Sequence, residues 1–278
     1  MGRAIVRVAR PVDRADALLV LPGFGYTRAG RRTFRRLSST VSADGFDLFV
    51  PRYISRGGLD ASRGNLERFI RQHQLERYER IHVFAFLAGA WTFNPLAEAN
   101  ALPNLKTIVY DRSPYQERAP RIALERLKFL TWVRYGSPVF DVARTPYVPL
   151  TSRAVRVALV IETTPTRFVR RFERTARSYG PYDFSRDAFK QRHDDCLYVP
   201  MNHDELYERF VELWAEIRTF IQTGRFANEL HRVQRVAELD GKSGLVSRRM
   251  SSTSRRSAAL RDAYFRLPSA PDRMSDIR

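Results

Sequence analysis

Residues 80–94, RIHVFAFLAGAWTFN, decide how the chain is read. Val83, Phe84, Ala85 and Phe86 run apolar with no helical period, as a strand buried on both faces does. Ala85 and Gly89 then stand two before and two after Leu87, and small residues at that spacing let a strand turn sharply into a helix. The side chain at the centre of this corner is a leucine, which carries no reactive atom.

Working outward, strands and helices alternate. Residues 5–8 read as a short edge strand, and 17–21 (ALLVL) as a fully buried one ending on the glycine turn Gly23-Phe24-Gly25. Residues 28–43 form a helix, 46–51 a strand, and 59–74 a helix with apolar positions Leu66, Phe69 and Ile70. His73 near its end suits the helix dipole, and His82 is expected at the surface or a sheet edge. After the corner helix, residues 105–110 form a strand that delivers Asp111 to its carboxyl end. Between 114 and 150 the rhythm breaks into scattered apolar positions and prolines, which reads as an inserted cap. It resumes with a strand at 155–161 and a helix at 166–178, introduced by Thr164-Pro165. A last strand at 197–200 is followed at once by Asn202-His203-Asp204 and a long amphipathic helix ending at Gly224. Such alternation predicts an α/β fold, a mostly parallel central sheet with helices on both faces and a small cap insertion.

Composition sets the limits. A chain of 278 residues with 44% hydrophobic and 12% aromatic content can bury one large core. We assign residues 1–226 to one domain, with the cap at 114–150. Residues 227–278 form a basic helix and a Ser/Arg-rich tail whose composition suits disorder or a bound partner. The single cysteine, Cys196, allows no internal disulfide and is expected to be an inert core residue. No apolar run reaches the roughly 18 residues of a membrane span, and residues 1–10 lack a secretory apolar segment. A soluble cytoplasmic protein is therefore expected, with an organelle matrix as the other location the Arg-rich start allows. Neither a cofactor nor a metal is called for.

The charge is unusual. Forty-eight Lys and Arg face 30 Asp and Glu, a net +18, and only Lys106, Lys128, Lys190 and Lys242 are lysines. Arg28, Arg31, Arg32, Arg35 and Arg36 fall on one face of the first helix. Arg167, Arg170, Arg171, Arg174 and Arg177 do the same on the helix at 166–178. Like charges at this spacing cost about 0.2 to 0.5 kcal/mol per pair. A solvated face accounts for one stripe more readily than for two, so both are candidate surfaces for an acidic protein, RNA or an anionic lipid surface. No RNA-binding signature, zinc-ligand spacing or phosphate-cradling glycine loop accompanies them.

Taken in order, the glycine turn, the corner on a central strand, the strand-end acid, the cap, and a His after the last strand resemble the α/β-hydrolase fold over residues 5–226. The resemblance implies a nucleophile at Leu87 and a base at His203. It implies an orienting acid at Asp111 or in the loop 162–166, where Glu162 is the only carboxylate, and oxyanion donors at the N–H groups of Phe24 and Ala88. It also implies a pocket for a small acyl or aromatic ligand. Leu87 departs from the pattern decisively, since covalent acyl transfer needs an oxygen or sulfur nucleophile. The corner should therefore be relaxed or plugged. Three readings follow. The first is a pseudoenzyme that keeps the fold as a scaffold for an anionic partner. The second is a noncovalent enzyme with His203 as general base. The third is a hydrolase in which a hydroxyl such as that of Thr92 or Ser113 takes over.

Overall fold

The computed structural model describes residues 4–7, 15–24 and 28–227. Among the described residues seven strands form one sheet: β1 (Ala4–Arg7), β2 (Asp16–Leu21), β3 (Phe46–Pro51), β4 (Arg80–Ala85), β5 (Leu105–Arg112), β6 (Arg156–Glu162) and β7 (Asp195–Val199). Their order is β1-β3-β2-β4-β5-β6-β7. Strands β2 to β7 are parallel, and β1 pairs antiparallel with β3 at one edge. The helices are α1 (Arg28–Ala43), α2 (Leu59–Gln72), α3 (Leu87–Glu98), α4 (Ala119–Arg126), α5 (Lys128–Tyr135), α6 (Pro138–Arg144), α7 (Arg167–Arg171), α8 (Glu173–Arg177), α9 (His203–Glu208) and α10 (Phe210–Thr223). The glycine-turn residue Gly25, the end of the first expected strand at Val8, and nearly all of the expected tail at 227–278 lie outside the described residues.

The parallel strands are apolar on both faces because helices cover both. Leu18 to Leu21, Val83 to Ala85 and Val157 to Ile161 are fully enclosed. Helix α1 packs on α9, α10 and β3, while α2 packs on α3 and α6. Helices α4, α5 and α6 fill the stretch expected as a cap. The chain runs from β2 to β3 on one side and returns to β4 on the other, so the strand order reverses between β2 and β4. Ligands of open α/β sheets bind at such a switch point, beyond the carboxyl ends of the strands.

Three local expectations are corrected. His82 is neither at the surface nor at an edge: it is buried in the central strand β4, paired with Leu18 of β2. Its Nε2 lies 3.4 Å from Asp16 Oδ1 and its ring meets the edge of Phe46. Burial, against the pull of Asp16, pushes His82 down to about 4, so it is a neutral core histidine. The helix expected at 166–178 breaks at Phe172 into α7 and α8. Its cap is Thr166, whose hydroxyl accepts from Val169 N–H at 3.3 Å, and not Thr164. Cys196 is buried as expected, and burial pushes its thiol up.

The corner after β4 turns on close packing. A Cβ on Gly89 would stand 2.9 Å from both the Cβ and the carbonyl oxygen of Leu21, so only glycine lets α3 approach β2 this closely. Gly89→Ala should therefore lower stability by about 1 to 3 kcal/mol through overpacking, read as a fall in the urea midpoint at unchanged slope.

Candidate functional site

Strand register brings the two acids together. Asp111 of β5 lies opposite Val160 of β6, and Glu162, two residues further on, shares that face. The chain then leaves β7 and enters α9 through a capping box. The Asn202 side chain accepts from the N–H groups of Asp204 and Glu205, and Glu205 accepts in return from the Asn202 N–H. This box fixes His203 as the first residue of the helix, and all three side chains are buried. His203 Nδ1 lies 2.8 Å from Asp111 Oδ2 and 3.1 Å from Glu162 Oε1. The sequence offered Asp111 or Glu162 as the orienting acid; the fold sets both on one nitrogen.

That arrangement controls protonation. Burial alone would push His203 down, but the carboxylates of Asp111 and then Glu162 outweigh it and push it up to about 10. Burial first, and then the Asp111 carboxylate, hold the Glu162 carboxyl well above the usual range. These shifts favour His203 as the cation beside Asp111, and Glu162 in its protonated form, so the imidazole is poorly placed to accept a further proton.

Around the imidazole the site is packed with rings. Phe86 stacks on Tyr207 at 3.9 Å, and both present T-shaped contacts to His203. The Gly23 N–H donates to Tyr207 Oη at 2.5 Å, and Tyr53 Oη donates to Pro22 O at 2.7 Å, so side chains pin the glycine turn from two sides. A Cβ on Gly23 would lie 3.8 Å from His203 Nε2, which shows how closely the turn approaches the ring.

Leu87 is buried as the first residue of α3, after Phe86 at φ −66° and ψ 162°. Among the described residues the only non-glycine positive φ values are at Gln74, Asn100 and Lys190, so the corner is relaxed. Ala88 occupies the first turn of α3, where N–H groups have no intrahelical acceptor, and Phe24 follows Gly23 in the turn after β2. The two substitute hydroxyls are engaged elsewhere: Thr92 Oγ1 donates to Ala88 O at 2.9 Å, and Ser113 Oγ to Glu162 O at 3.1 Å.

Asp111, Glu162 and His203 also offer three ligand atoms within 4.8 Å of one another, a donor set that a divalent metal could use. A metal there would have to displace the proton that His203 Nδ1 shares with the acids. An open groove of about 320 Å³ lies between residues 114–121 and the stretch that follows α8, lined by Glu117, Arg118, Arg121, Tyr179 and Phe189 among others. A second, of about 450 Å³, is lined by Arg186, Lys190 and Arg192 among others. Neither is lined by Asp111, Glu162 or His203.

The arginines divide unevenly. Arg32, Arg35 and Arg36 are exposed on α1 and Arg31 is half-buried, and among the described residues none of the four has a carboxylate partner. The Arg28 side chain lies outside the described residues. Arg167, Arg170, Arg171, Arg174 and Arg177 are all exposed, but the break at Phe172 splits them between α7 and α8, and Arg177 pairs with Glu173 at 2.7 Å. The contribution of Tyr207 and Phe86 was not read from the sequence. Tyr207, four residues after His203 and so on the same helical face, was the available signal.

Strand order, the strand-turn-helix corner, and an acid and a histidine after successive strands give this chain the α/β-hydrolase fold. No protein-family model and no curated protein sequence matches it. Among solved structures it is similar to Est1E from Butyrivibrio proteoclasticus, at 12% identity over 80% of this chain and 97% of that one, with a TM-score of 0.46. A marine microorganism esterase aligns at 10% identity over 80% and 98% of the two chains, with a TM-score of 0.45. Thermogutta terrifontis esterase 2, phosphonylated by cyclosarin, aligns at 14% identity over 82% and 96%, with a TM-score of 0.40. These likenesses concern the course of the chain, and the fold assignment rests on the strand order itself.

Two outcomes test the site. Because the folded value of His203 lies above 6.5, its stabilising contribution is complete below that pH and is lost as pH rises toward about 10. Its ring proton should titrate in that upper range by NMR, whereas a midpoint near 6.5 would refute the cation. Asp111→Asn, which leaves the buried cation short of one partner, should cost about 3 to 5 kcal/mol in urea unfolding.

Proposed function

We propose that this chain is a non-catalytic α/β-hydrolase-fold protein that serves as a binding or scaffold protein for an anionic partner. The observation that carries the first half is Leu87. It sits at the centre of an unstrained corner, and neither Thr92 nor Ser113 offers a free hydroxyl in its place. Covalent acyl transfer requires a nucleophile within reach of a base, and here neither group is available.

The reading of His203 as a noncovalent general base requires a neutral imidazole at working pH. The two carboxylates favour the cation instead, and Phe86 and Tyr207 crowd the ring. The aromatic packing also supports a scaffold reading, because it spends the space a substrate acyl group would need on internal contacts.

The anionic partner is supported by the net charge of +18 and by Arg32, Arg35 and Arg36 of α1, which are exposed and have no carboxylate partner among the described residues. A field of that sign raises the encounter rate with acidic surfaces, and the attraction weakens as salt screens it. The protein should show no labelling by a fluorophosphonate serine probe and no turnover of short p-nitrophenyl esters. It should be retained on a sulfated polysaccharide column at low salt, and Arg32→Glu, Arg35→Glu and Arg36→Glu combined should elute it earlier. Labelling that disappears in His203→Ala would overturn the non-catalytic reading, and unchanged elution of the charge-reversed variant would remove α1 from the binding surface.

A further inference from the structure

Helix α5 is built inside out. Of its eight residues, KFLTWVRY, the polar Thr131 is the buried one, while Phe129 is 72% exposed, Leu130 63%, Trp132 55% and Val133 49%. At 100° per residue these four fill a continuous arc of about 160° in the order Trp132, Phe129, Val133, Leu130. Lys128 and Arg134, both exposed, border that arc on its two sides. A surface of contiguous large apolar side chains on a soluble fold marks a contact site, because single exposed hydrophobics are ordinary and clusters are not.

The helix is held rigidly in this pose. Gly136, at φ +78°, ends it, and a Cβ there would stand 2.3 Å from Arg56 O, so glycine is required for the chain to pass. The Arg56 guanidinium donates to the carbonyls of Arg134 and Trp132 at 3.1 and 3.3 Å, closing the last turn with a cation. On the inner side, the Tyr135 ring meets Phe24 at 6.4 Å, over the turn that follows β2.

We infer that α5 is the contact helix by which this protein docks on an anionic lipid surface, with Phe129, Leu130, Trp132 and Val133 entering the headgroup boundary and the flanking cations meeting the lipid phosphates. The inference deepens the anionic-partner half of the proposed function and is independent of whether catalysis is absent. Charge complementarity selects the occupant. Lys128 and Arg134 flank the arc and Arg56 closes the last turn of the helix, while α5 itself carries no carboxylate and Glu125 of α4 is paired with Arg121. A second copy would bring the same cations face to face across a symmetric contact. The chain's own residues 227–278 carry 11 basic and 6 acidic residues, so they do not complement this surface either. An apolar strip bordered by Lys and Arg and carrying a tryptophan matches a helix lying in the interface plane, its aromatic side chains at headgroup level.

The test uses the full chain with vesicles of phosphatidylcholine alone or mixed with phosphatidylglycerol in equal parts. Cosedimentation with the mixed vesicles and not with the neutral ones is expected, together with a blue shift of tryptophan emission and quenching by brominated lipid. The Phe129→Ser, Leu130→Ser, Trp132→Ser variant should bind about tenfold or more weakly. Should that variant fail to fold, loss of the quenching in Trp132→Phe alone identifies the inserted residue, since it leaves the other two tryptophans, buried Trp214 and half-buried Trp91 against Tyr147, in place. Equal binding to neutral vesicles, undiminished binding of the triple variant, or a dimer in sedimentation that the variant abolishes would each overturn the inference. Ester turnover by the wild-type chain would instead overturn the non-catalytic reading and leave the vesicle result standing.

Discussion

The contact between His203 Nδ1 and the carboxylates of Asp111 and Glu162 is the constraint around which this end of the molecule is arranged. Three strand ends converge there, β5 and β6 through their acids and β7 through the capping box that opens α9. A buried charge without a partner costs several kcal/mol, so these loops cannot move independently without exposing or orphaning one of the groups. The rings of Phe86 and Tyr207 complete the enclosure, excluding water and so strengthening each electrostatic contact inside.

Much of the fold was legible because the sheet is parallel and buried. Runs such as Leu18 to Leu21 and Val157 to Ile161 leave few readings, and the residues after each run fall at the strand ends where ligands bind. Leu87 at the corner, Asp111 at a strand end and His203 after the last strand could be placed from order alone. The sequence could not say that Asp111 and Glu162 share a face, since that depends on the register between β5 and β6. It also misled about His82. A histidine in an apolar strand reads as an interruption, whereas Asp16, which Arg80 holds by a bidentate pair despite the cost of burial, sits near enough to accommodate it. The break at Phe172 has a similar origin. The helical spacing of residues 166–178 is real, but the packing of α7 and α8 on α4 overrides the local preference.

The distribution of charge separates two roles for arginine. Arg112, Arg118 and Arg80 are structural: Arg112 is buried over the ring of Tyr147 at 4.1 Å and bonded to Glu117, and Arg118 donates to three backbone carbonyls around 176–181. Arg32, Arg35 and Arg36 of α1 and the arginines of α7 and α8 stand in solvent. A composition so rich in arginine therefore cannot be read as one signal, and the +18 total overstates neither the core nor the surface alone.

His203 and Tyr207 are four residues apart on one short helix, and each is fastened to a different part of the sheet's rim. The imidazole is held by the ends of β5 and β6, and the phenol by the turn after β2. Any rotation of α9 that frees the Gly23 N–H must also drag the ring from its acids. The rim is thus latched at two points of one short helix, so the turn after β2 and the acids of β5 and β6 are coupled through α9.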